Sequence, residues 1–323
     1  MEIRQMKYFV AVVDSGSVSR AAGRLFVAQS ALSKQISDLE TDLDVILLHR
    51  SRSGVFPTEG GKVFYDYCKA ILKQMGDARE AVHCSAETIV GNVVVAVPQS
   101  ASYALALPLI NAVQAQLPNI SLHINEELTG NLFEQLRQGH ADLALFTSNV
   151  GRQDFSFSAV AEEDLYLVTP AAAGGDAGDD AGDDAGGGAG GLSLQEALAG
   201  PLLMSGLQHS HCLRSIIEDQ GAALGVAMPA PLAEINSVHI LKAAVEAGKG
   251  NTIMPLALVQ QEVMQGRLSA RRIDPAQVSR TLGICRSNSI PETNAKRAVA
   301  DLMTRLVGEL RENGKWPSLR PVG

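Results

Sequence analysis

The stretch that decides the fold runs from Ser17 to Glu40 and reads SVSRAAGRLFVAQSALSKQISDLE. It contains two short amphipathic patterns that meet between Phe26 and Ala28. In the first pattern, Ser17 is a residue type that caps helices, and the apolar side chains after it recur at the spacing of one buried helical face. The sequence therefore predicts two helices joined by a short turn.

The second pattern separates apolar and polar side chains onto opposite faces of a helix. The apolar face carries Leu32, Ile36 and Leu39. The other face carries hydroxyl and ammonium groups, from Ser30, Ser33, Lys34 and Ser37. With Gln29 before them, these groups suit a helix that lies in a DNA major groove, which admits a helix and offers donors, acceptors and phosphates. The alternative is a small helical subdomain with a Ser-rich solvated face.

The residues on either side favour a winged helix-turn-helix. A first helix is predicted from an apolar face formed by Met6, Phe9, Val10 and Val13. After the helical pair, residues 47–57 read LLHRSRSGVFP, which predicts a short hairpin with a Gly-containing turn. Arg50 and Arg52 lie at its tip, where guanidinium groups can reach phosphates or the minor groove. An ordinary solvated turn is the alternative for these two arginines, but their position directly after the helical pair favours the wing.

A long helix is predicted from Thr58, which can cap it, to about Thr88. Its apolar side chains recur every three or four residues, at Phe64, Tyr67, Ile71, Met75, Ala78 and Val82. A narrow apolar seam on so long a helix favours dimerisation. Because seven Lys and Arg side chains in residues 1–60 are matched by seven Asp and Glu, a single copy would bind DNA weakly. Pairing two copies would supply the missing charge.

The composition indicates a soluble, cytoplasmic protein of two or three domains. The chain has 323 residues, of which 46% are hydrophobic, and a formal net charge of -8. Five of the negative charges come from residues 171–191, an Ala, Gly and Asp run that predicts a disordered acidic insertion. The cysteines lack Cys-x-x-Cys spacing, as in reduced proteins, and stand at Cys68, Cys84, Cys212 and Cys285. We expect no signal peptide and no membrane span, because no apolar run is long enough.

From Gly91 onward, strands and helices alternate. Strands are predicted at Val93–Val97, Ile120–Ile124 and Leu143–Phe146, with helices at Tyr103–Gln116 and Asn131–Gln138 between them. This order predicts a parallel sheet, whose ligands bind where strands end and helices begin. Ser100, Ser102 and Thr129 follow strands at those places. The pattern continues with strands at Leu165–Thr169, Pro201–Met204 and Arg280–Cys285, and with helices at Leu213–Gln220, Val238–Glu246 and Glu292–Leu310.

Two other motifs are considered and set aside, and we expect no metal, no cofactor and no enzyme. His209-Ser210-His211-Cys212 offers metal ligands, but they are too close in sequence to converge on one ion without another partner, so a polar loop over the cleft is favoured. Gly248-Lys249-Gly250 follows a helix, where a phosphate loop requires a strand, so a helix C-terminal turn is favoured. The sequence contains no Ser/His/Asp set, nucleophile elbow or His-Glu-x-x-His motif.

Nearly the whole chain resembles the LysR-type transcriptional regulators. The first sixty residues carry the most specific matches, among them Phe9 to Asp14, Ala21-Ala22, Gln29 to Ser33, Leu47-Leu48 and Pro57 to Gly61. Later matches are Leu117-Pro118, Gly139, Asp142 to Ala144, Ala247 to Gly250 and Pro255. Ser30 departs from the family, where many members have Pro, and Asp44 stands where Gly is usual. Asp44 with Leu47-Leu48, and the run Glu163 to Val168, resemble the nitrogen-assimilation-control branch.

The resemblance implies a winged helix-turn-helix over residues 1–58, a dimerising linker helix over 59–90 and a two-lobed, periplasmic-binding-protein-like effector domain over 91–312. Lobe one would comprise 91–162 and 266–312, lobe two 163–265, and the C-terminal tail 313–323. The residues that would contact DNA are Gln29, Ser30, Ser33, Lys34, Gln35, Arg50 and Arg52. Ser100 and Thr129 would contact the effector from lobe one, and Ser205 and His209 from lobe two. Ser102 is added to these expected effector contacts because it follows a predicted strand.

Two functions from different classes remain. The favoured one is a cytoplasmic regulator that binds double-stranded operator DNA as a dimer or a dimer of dimers, and whose grip on DNA changes when a small-molecule effector occupies the cleft. RNA polymerase is a further partner that this function allows. The alternative is a small-molecule-binding protein or enzyme of solute-binding fold, without operator specificity. The missing signal peptide and catalytic set disfavour it.

Overall fold

The computed structural model describes residues 1–51, 54–83, 89–127, 129–147, 154–171, 191–204 and 213–323. These residues form two compact units, one N-terminal and one that begins at Ile89. Each unit has its own buried apolar core.

The first unit consists of three helices, a hairpin and a long helix, as the sequence predicts. In order, these are α1 (Ile3–Ser15), α2 (Val18–Leu25), α3 (Gln29–Leu43), β1 (Leu48–Ser51), β2 (Gly54–Pro57) and α4 (Glu59–His83). The apolar faces of the first three helices supply side chains with no exposed surface, including Phe9, Val12, Ala21, Leu32, Ile36 and Leu39. Strands β1 and β2 pair antiparallel. The winged helix-turn-helix is therefore present.

Local caps fix where these helices begin and end. The Ser17 hydroxyl accepts a hydrogen bond from the Arg20 N–H at 3.4 Å, and the Thr58 hydroxyl accepts one from the Gly61 N–H at 2.9 Å. Both predicted caps are confirmed. Helices α2 and α3 end with Phe26 and Asp44 in the left-handed region, at φ 55° and 53°. Asp tolerates that conformation better than most residues, whereas Phe does not.

The second unit begins with a six-stranded sheet in the order β13-β6-β12-β5-β3-β4. Its strands are β3 (Gly91–Pro98), β4 (Ile120–Glu127), β5 (Leu143–Phe146), β6 (Phe155–Asp164), β12 (Ser279–Ser287) and β13 (Leu319–Arg320). Its helices are α5 (Gln99–Gln116), α6 (Thr129–Arg137) and α11 (Asn294–Glu312). Strands β3, β4 and β5 are parallel, but β12, β6 and β13 pair antiparallel. The parallel sheet predicted from the first three strands is confirmed, and strand β6, which was not predicted, belongs to the antiparallel part.

The rest of this unit forms a second lobe inserted between β6 and β12. It contains β7 (Tyr166–Pro170), α7 (Leu194–Leu198), β8 (Leu203–Met204), α8 (Leu213–Ala223), β9 (Ala233–Glu234), α9 (Val238–Glu246), β10 (Thr252–Met254), a 3-10 turn (Leu256–Leu258), α10 (Gln260–Met264) and β11 (Leu268–Arg272). Strands β10 and β11 flank β7, and β8 pairs with β9. The two-lobed fold is therefore present, as expected.

The expected lobe boundaries need correction. Strand β11 pairs with β7, so residues 268–272 belong to the second lobe rather than to the first. Strand β6 continues the first sheet to Asp164, two residues beyond the expected limit of 162. The segment expected to be a tail completes the first lobe, because β13 joins the sheet and Trp316 has no exposed surface. The acidic insertion lies almost wholly outside the described residues.

Candidate functional sites

The first candidate site is the outward face of α3. Leu32, Ile36 and Leu39 are fully buried, and the polar face opposite them points away from the core. On that face Gln29, Ser30 and Lys34 are exposed, and Ser33 and Gln35 are half-buried. Ala28, which precedes α3, has no side-chain oxygen to cap the first-turn N–H groups. These N–H groups and the polar side chains thus occupy the same end of the helix.

The hairpin adds a guanidinium group to this face. Arg50 Nη1 on β1 donates a hydrogen bond to Ser33 Oγ at 3.0 Å. Since Ser33 Oγ accepts that bond, its own hydrogen remains able to donate to a ligand. The structure thus brings together Arg50 and Ser33, two residues predicted separately from the hairpin and the helix. Arg52 lies outside the described residues.

Glu40 holds the hairpin against α3, a role that the periodicity did not reveal. Its Oε1 accepts hydrogen bonds from the backbone N–H of Leu47 at 2.8 Å and of Leu48 at 3.0 Å. Glu40 lies in the last turn of α3, and the two N–H groups lead into β1. A carboxylate shared in this way fixes where β1 starts and so helps to position Arg50.

Helix α4 is anchored to α1 at its N-terminal half. Phe64 packs against Phe9, with ring centroids 5.2 Å apart, and the Tyr65 hydroxyl donates a 2.5 Å hydrogen bond to Asp14. Burial, followed by that bond, raises the pKa of Tyr65 to about 12. The predicted seam is therefore wrong at Phe64, because this side chain is needed in the core of its own unit.

A different apolar stripe of α4 is exposed. Its large members are Val63, Tyr67, Ile71 and Val82, with exposed fractions of 59%, 63%, 38% and 83%. Val63, Tyr67 and Ile71 follow one another at intervals of four residues, and Val82 follows after a longer interval. All four side chains therefore share one side of the helix. Tyr67, Ile71 and Val82 belong to the predicted seam, and Val63 takes the place expected for Phe64.

The second candidate site lies where β3 and β4 end. Ser100, in the first turn of α5, accepts a hydrogen bond from Arg280 Nη1 at 3.1 Å. Ser102 is 7% exposed, and its hydroxyl contacts Gln99 O at 3.1 Å and the Glu126 carboxylate. Thr129 begins α6. The predicted effector residues Ser205 and His209 lie outside the described residues, with the rest of the His-Ser-His-Cys motif.

Sequence reasoning missed the buried ion pair behind Ser100. Arg280 on β12 and Glu163 on β6 are 3% and 0% exposed, and Arg280 Nε donates to Glu163 Oε2 at 2.7 Å. The other carboxylate oxygen accepts from Trp316 Nε1 at 2.7 Å and from Ser318 Oγ at 3.1 Å. This buried pair, with both oxygens of the Glu163 carboxylate hydrogen-bonded, holds the Arg280 guanidinium beside the Ser100 hydroxyl.

Two of the cysteines do not resemble reactive thiols. Cys68 and Cys285 have no exposed surface, and burial raises their pKa to about 11 and about 12.

The Gly248-Lys249-Gly250 segment ends α9, as predicted, with Gly248 at φ 69° and a hydrogen bond from Lys249 N to Ala244 O. None of the helices within the described ranges is long and apolar enough to cross a membrane.

Comparison with known proteins matches both units. Residues 3–62 match the family described as bacterial regulatory helix-turn-helix protein, lysR family, and residues 86–307 match the LysR substrate binding domain. The nitrogen assimilation regulatory protein nac of Escherichia coli (strain K12) is 29% identical over 320 residues, which cover 98% of this chain and 99% of that protein. Nac of Klebsiella aerogenes is 29% identical over 97% and 98% of the two chains.

Solved structures share the fold over the whole length. A full-length OxyR variant from Pseudomonas aeruginosa has a TM-score of 0.68 at 21% identity, and the match covers 100% of this chain and 99% of that one. Full-length CbnR complexed with its target DNA has a TM-score of 0.67 at 22% identity, with coverage of 94% and 99%.

The two matches define a transcriptional regulator with a DNA-binding helix-turn-helix and an effector-binding domain. The chain belongs to the LysR family of bacterial regulators. The two family descriptions accordingly give DNA and a small-molecule effector as its partners.

Proposed function

We propose that α3 and Arg50 form the operator-reading surface. The observation that carries this proposal is the Arg50–Ser33 hydrogen bond, which places a guanidinium beside the exposed Gln29, Ser30 and Lys34. Gln and Ser side chains can pair with base edges, while Arg, Lys and the first-turn N–H groups of α3 suit phosphates. Gln35 flanks this surface, and Arg52 would extend it along the wing.

Substitutions on α3 test this surface. Ser33→Ala and Lys34→Ala should each weaken binding of the full chain to its operator, identified by footprinting upstream of its own gene with excess competitor DNA. Lys315→Ala removes the same charge from an exposed position in the second unit and should leave affinity unchanged. Unchanged affinity in both α3 variants would remove this helix from the interface.

The protein functions as an oligomer whose copies join along α4. The exposed stripe of Val63, Tyr67, Ile71 and Val82 supports this assignment, because a second copy would remove it from water. Pairing also doubles the number of α3 surfaces, so each copy of the chain needs to supply only half of the contacts with DNA.

The effector binds between the lobes, against Ser100, and Thr129, Ser205 and His209 stay as further contacts expected from the family resemblance. The Arg280 hydrogen bond to Ser100 supports this, because it leaves the Ser100 hydroxyl hydrogen to donate toward an acceptor on the ligand. A panel of small carboxylates, amino acids and sugars can be tested by the thermal shift of the full chain. A shift that Ser100→Ala abolishes, and that Ser289→Ala on an exposed turn retains, would locate the ligand at this site.

The nac relatives favour control of nitrogen-assimilation genes by a regulator that works in the cytoplasm and is not an enzyme. The support is identity of 29% over nearly the whole of both chains. The test compares transcript levels with and without the gene in nitrogen-limited and nitrogen-replete cells. Differences confined to nitrogen limitation would support this role, and identical transcripts under both conditions would contradict it.

A further inference from the structure

Phe26, in the turn between α2 and α3, is strained and exposed at the same time. Its φ of 55° lies in the left-handed region, and 95% of its surface is exposed. The position is fixed by backbone hydrogen bonds from Phe26 N to Gly23 O at 3.3 Å and from Val27 N to Ala22 O at 3.1 Å. This arrangement is a Schellman motif, whose left-handed residue is usually Gly or Asn because a larger side chain clashes there.

Apart from these two backbone hydrogen bonds, the described residues provide almost no packing that would offset the strain. A single exposed apolar side chain is ordinary on a protein surface, and a bulky residue at positive φ is not. Packing of the ring could offset the strain, but at 95% exposure the ring has almost no contacts within its own unit. The combination therefore indicates a contact that the ring makes with a partner.

The turn itself says which partner is within reach. Phe26 precedes Gln29 by three residues, so their Cα atoms lie at most about 11 Å apart. The first turn of a recognition helix approaches base edges in the major groove. A phenyl ring at this distance can reach the outermost base pairs of the site that α3 covers. This step rests on the proposed role of α3.

The chemistry of the ring selects what it contacts there. Phe carries no hydrogen-bonding group, and the apolar feature that a major groove presents is the C5 methyl of thymine, with which Phe is a known type of contact. We propose that Phe26 packs against a thymine methyl at the edge of each half-site and so contributes to operator sequence preference. In this assignment the left-handed backbone directs the ring toward DNA.

The test uses the full chain and a duplex selected by it from random sequence. Each thymine is replaced in turn by deoxyuridine, which removes only the methyl group. For the unaltered protein, one replacement at the flank of a half-site should weaken binding by about fourfold, the value of one buried methyl group. For Phe26→Asn, affinity for the original duplex should fall, and that replacement should no longer matter.

Stability separates a DNA contact from a structural role. Asn tolerates the left-handed conformation, so Phe26→Asn should slow amide hydrogen exchange in α2 and α3 by a few fold while it weakens operator binding. Ile46→Asn, at a position 69% exposed in the turn after α3, removes a comparable apolar side chain and should change neither affinity nor the deoxyuridine profile.

Each contrary result has a distinct meaning. Unchanged affinity and an unchanged deoxyuridine profile in Phe26→Asn, with Ser33→Ala still impaired, would overturn this proposal and leave α3 as the reading helix. Faster hydrogen exchange accompanied by weaker binding would overturn it too, by giving Phe26 a structural role. If Ser33→Ala and Lys34→Ala are also without effect, the placement of α3 itself fails.

Discussion

Arg50 of the hairpin donates a hydrogen bond to the hydroxyl of Ser33 on α3, 17 residues earlier in the chain. The two groups therefore act as one unit, and removing either alters the other. Arg50→Ala should weaken operator binding and lower the slope of log affinity against log salt by about 1, because one phosphate contact is lost. Titrations at several salt concentrations give the slope. Arg24→Ala, on an exposed position of α2, serves as the charge-matched comparison.

The same pair predicts non-additive effects. If the hydrogen bond positions Arg50 for DNA, the double variant Ser33→Ala with Arg50→Ala should lose less affinity than the sum of the two single losses. The coupling should be about 0.5–1.5 kcal/mol, the range for one hydrogen bond. Strict additivity in this cycle would show that the two side chains contact DNA independently.

The exposed stripe of α4 predicts the position of the dimer contact. Tyr67→Glu and Ile71→Glu each place a charge on that stripe and should shift a dimer toward monomer in sedimentation velocity experiments, because a carboxylate is costly to bury in an apolar contact. Lys69→Glu, on an exposed position of the same helix, should leave the oligomer intact. Dimers that persist at equal concentration in both stripe variants would locate the contact elsewhere.

The Glu163 carboxylate predicts a large stability effect. Glu163→Gln leaves the buried Arg280 without its charge partner and should lower the free energy of unfolding by about 3–5 kcal/mol. Glu162→Gln changes the adjacent residue, whose Oε1 accepts one hydrogen bond from Thr281 at 2.7 Å, and should cost about 1 kcal/mol. Denaturant titrations followed by Trp316 fluorescence compare the two. Equal losses in the two variants would show that the buried ion pair contributes no more to the free energy of unfolding than a single hydrogen bond.

Alkaline unfolding is expected from three groups whose pKa is raised in the folded state. The pKa of Tyr65 rises from 10.0 to about 12, that of Cys68 from 9.0 to about 11 and that of Cys285 from 9.0 to about 12, in each case mainly through burial. The folded protein keeps these protons more firmly, so their contribution is complete below pH 9 and is lost as the pH rises to about 12. Tyr65→Phe should flatten the loss between about pH 10 and about pH 12, and an unaltered pH profile would contradict the assignment to Tyr65.

The N-terminal unit was predictable because its signals are local. Ser17 and Thr58 mark helix starts by their own side chains, and the residues that repeat every three or four positions in α3 coincide with the buried ones. The left-handed Phe26 was not predictable, since the backbone hydrogen bonds of a Schellman motif impose it on a residue that disfavours it. One member of the stripe on α4 was wrongly assigned, because Phe64 and Val63 are both apolar and only packing against Phe9 assigns them to different sides.

The second unit was less predictable because its decisive contacts are distant in sequence. Strand β6 ends in Glu162, Glu163 and Asp164, and three consecutive acidic residues do not indicate a strand that pairs with neighbours on both sides. Glu163 accepts hydrogen bonds from Arg280, 117 residues later in the chain, and from Trp316, 153 residues later. No periodicity in the sequence connects such distant positions. Strand β11 likewise pairs with β7, and nothing in its own sequence indicates that partner.

The order of these contacts has a consequence for synthesis on the ribosome. Glu163 leaves the exit tunnel long before the guanidinium and indole that neutralise and bind it, and a bare carboxylate cannot be buried without a large desolvation cost. The sheet of the first lobe therefore cannot be completed until the whole second lobe and α11 have been translated. During that interval the nascent chain exposes the edge of β6, and a chaperone that shields strand edges would have its longest opportunity to act there.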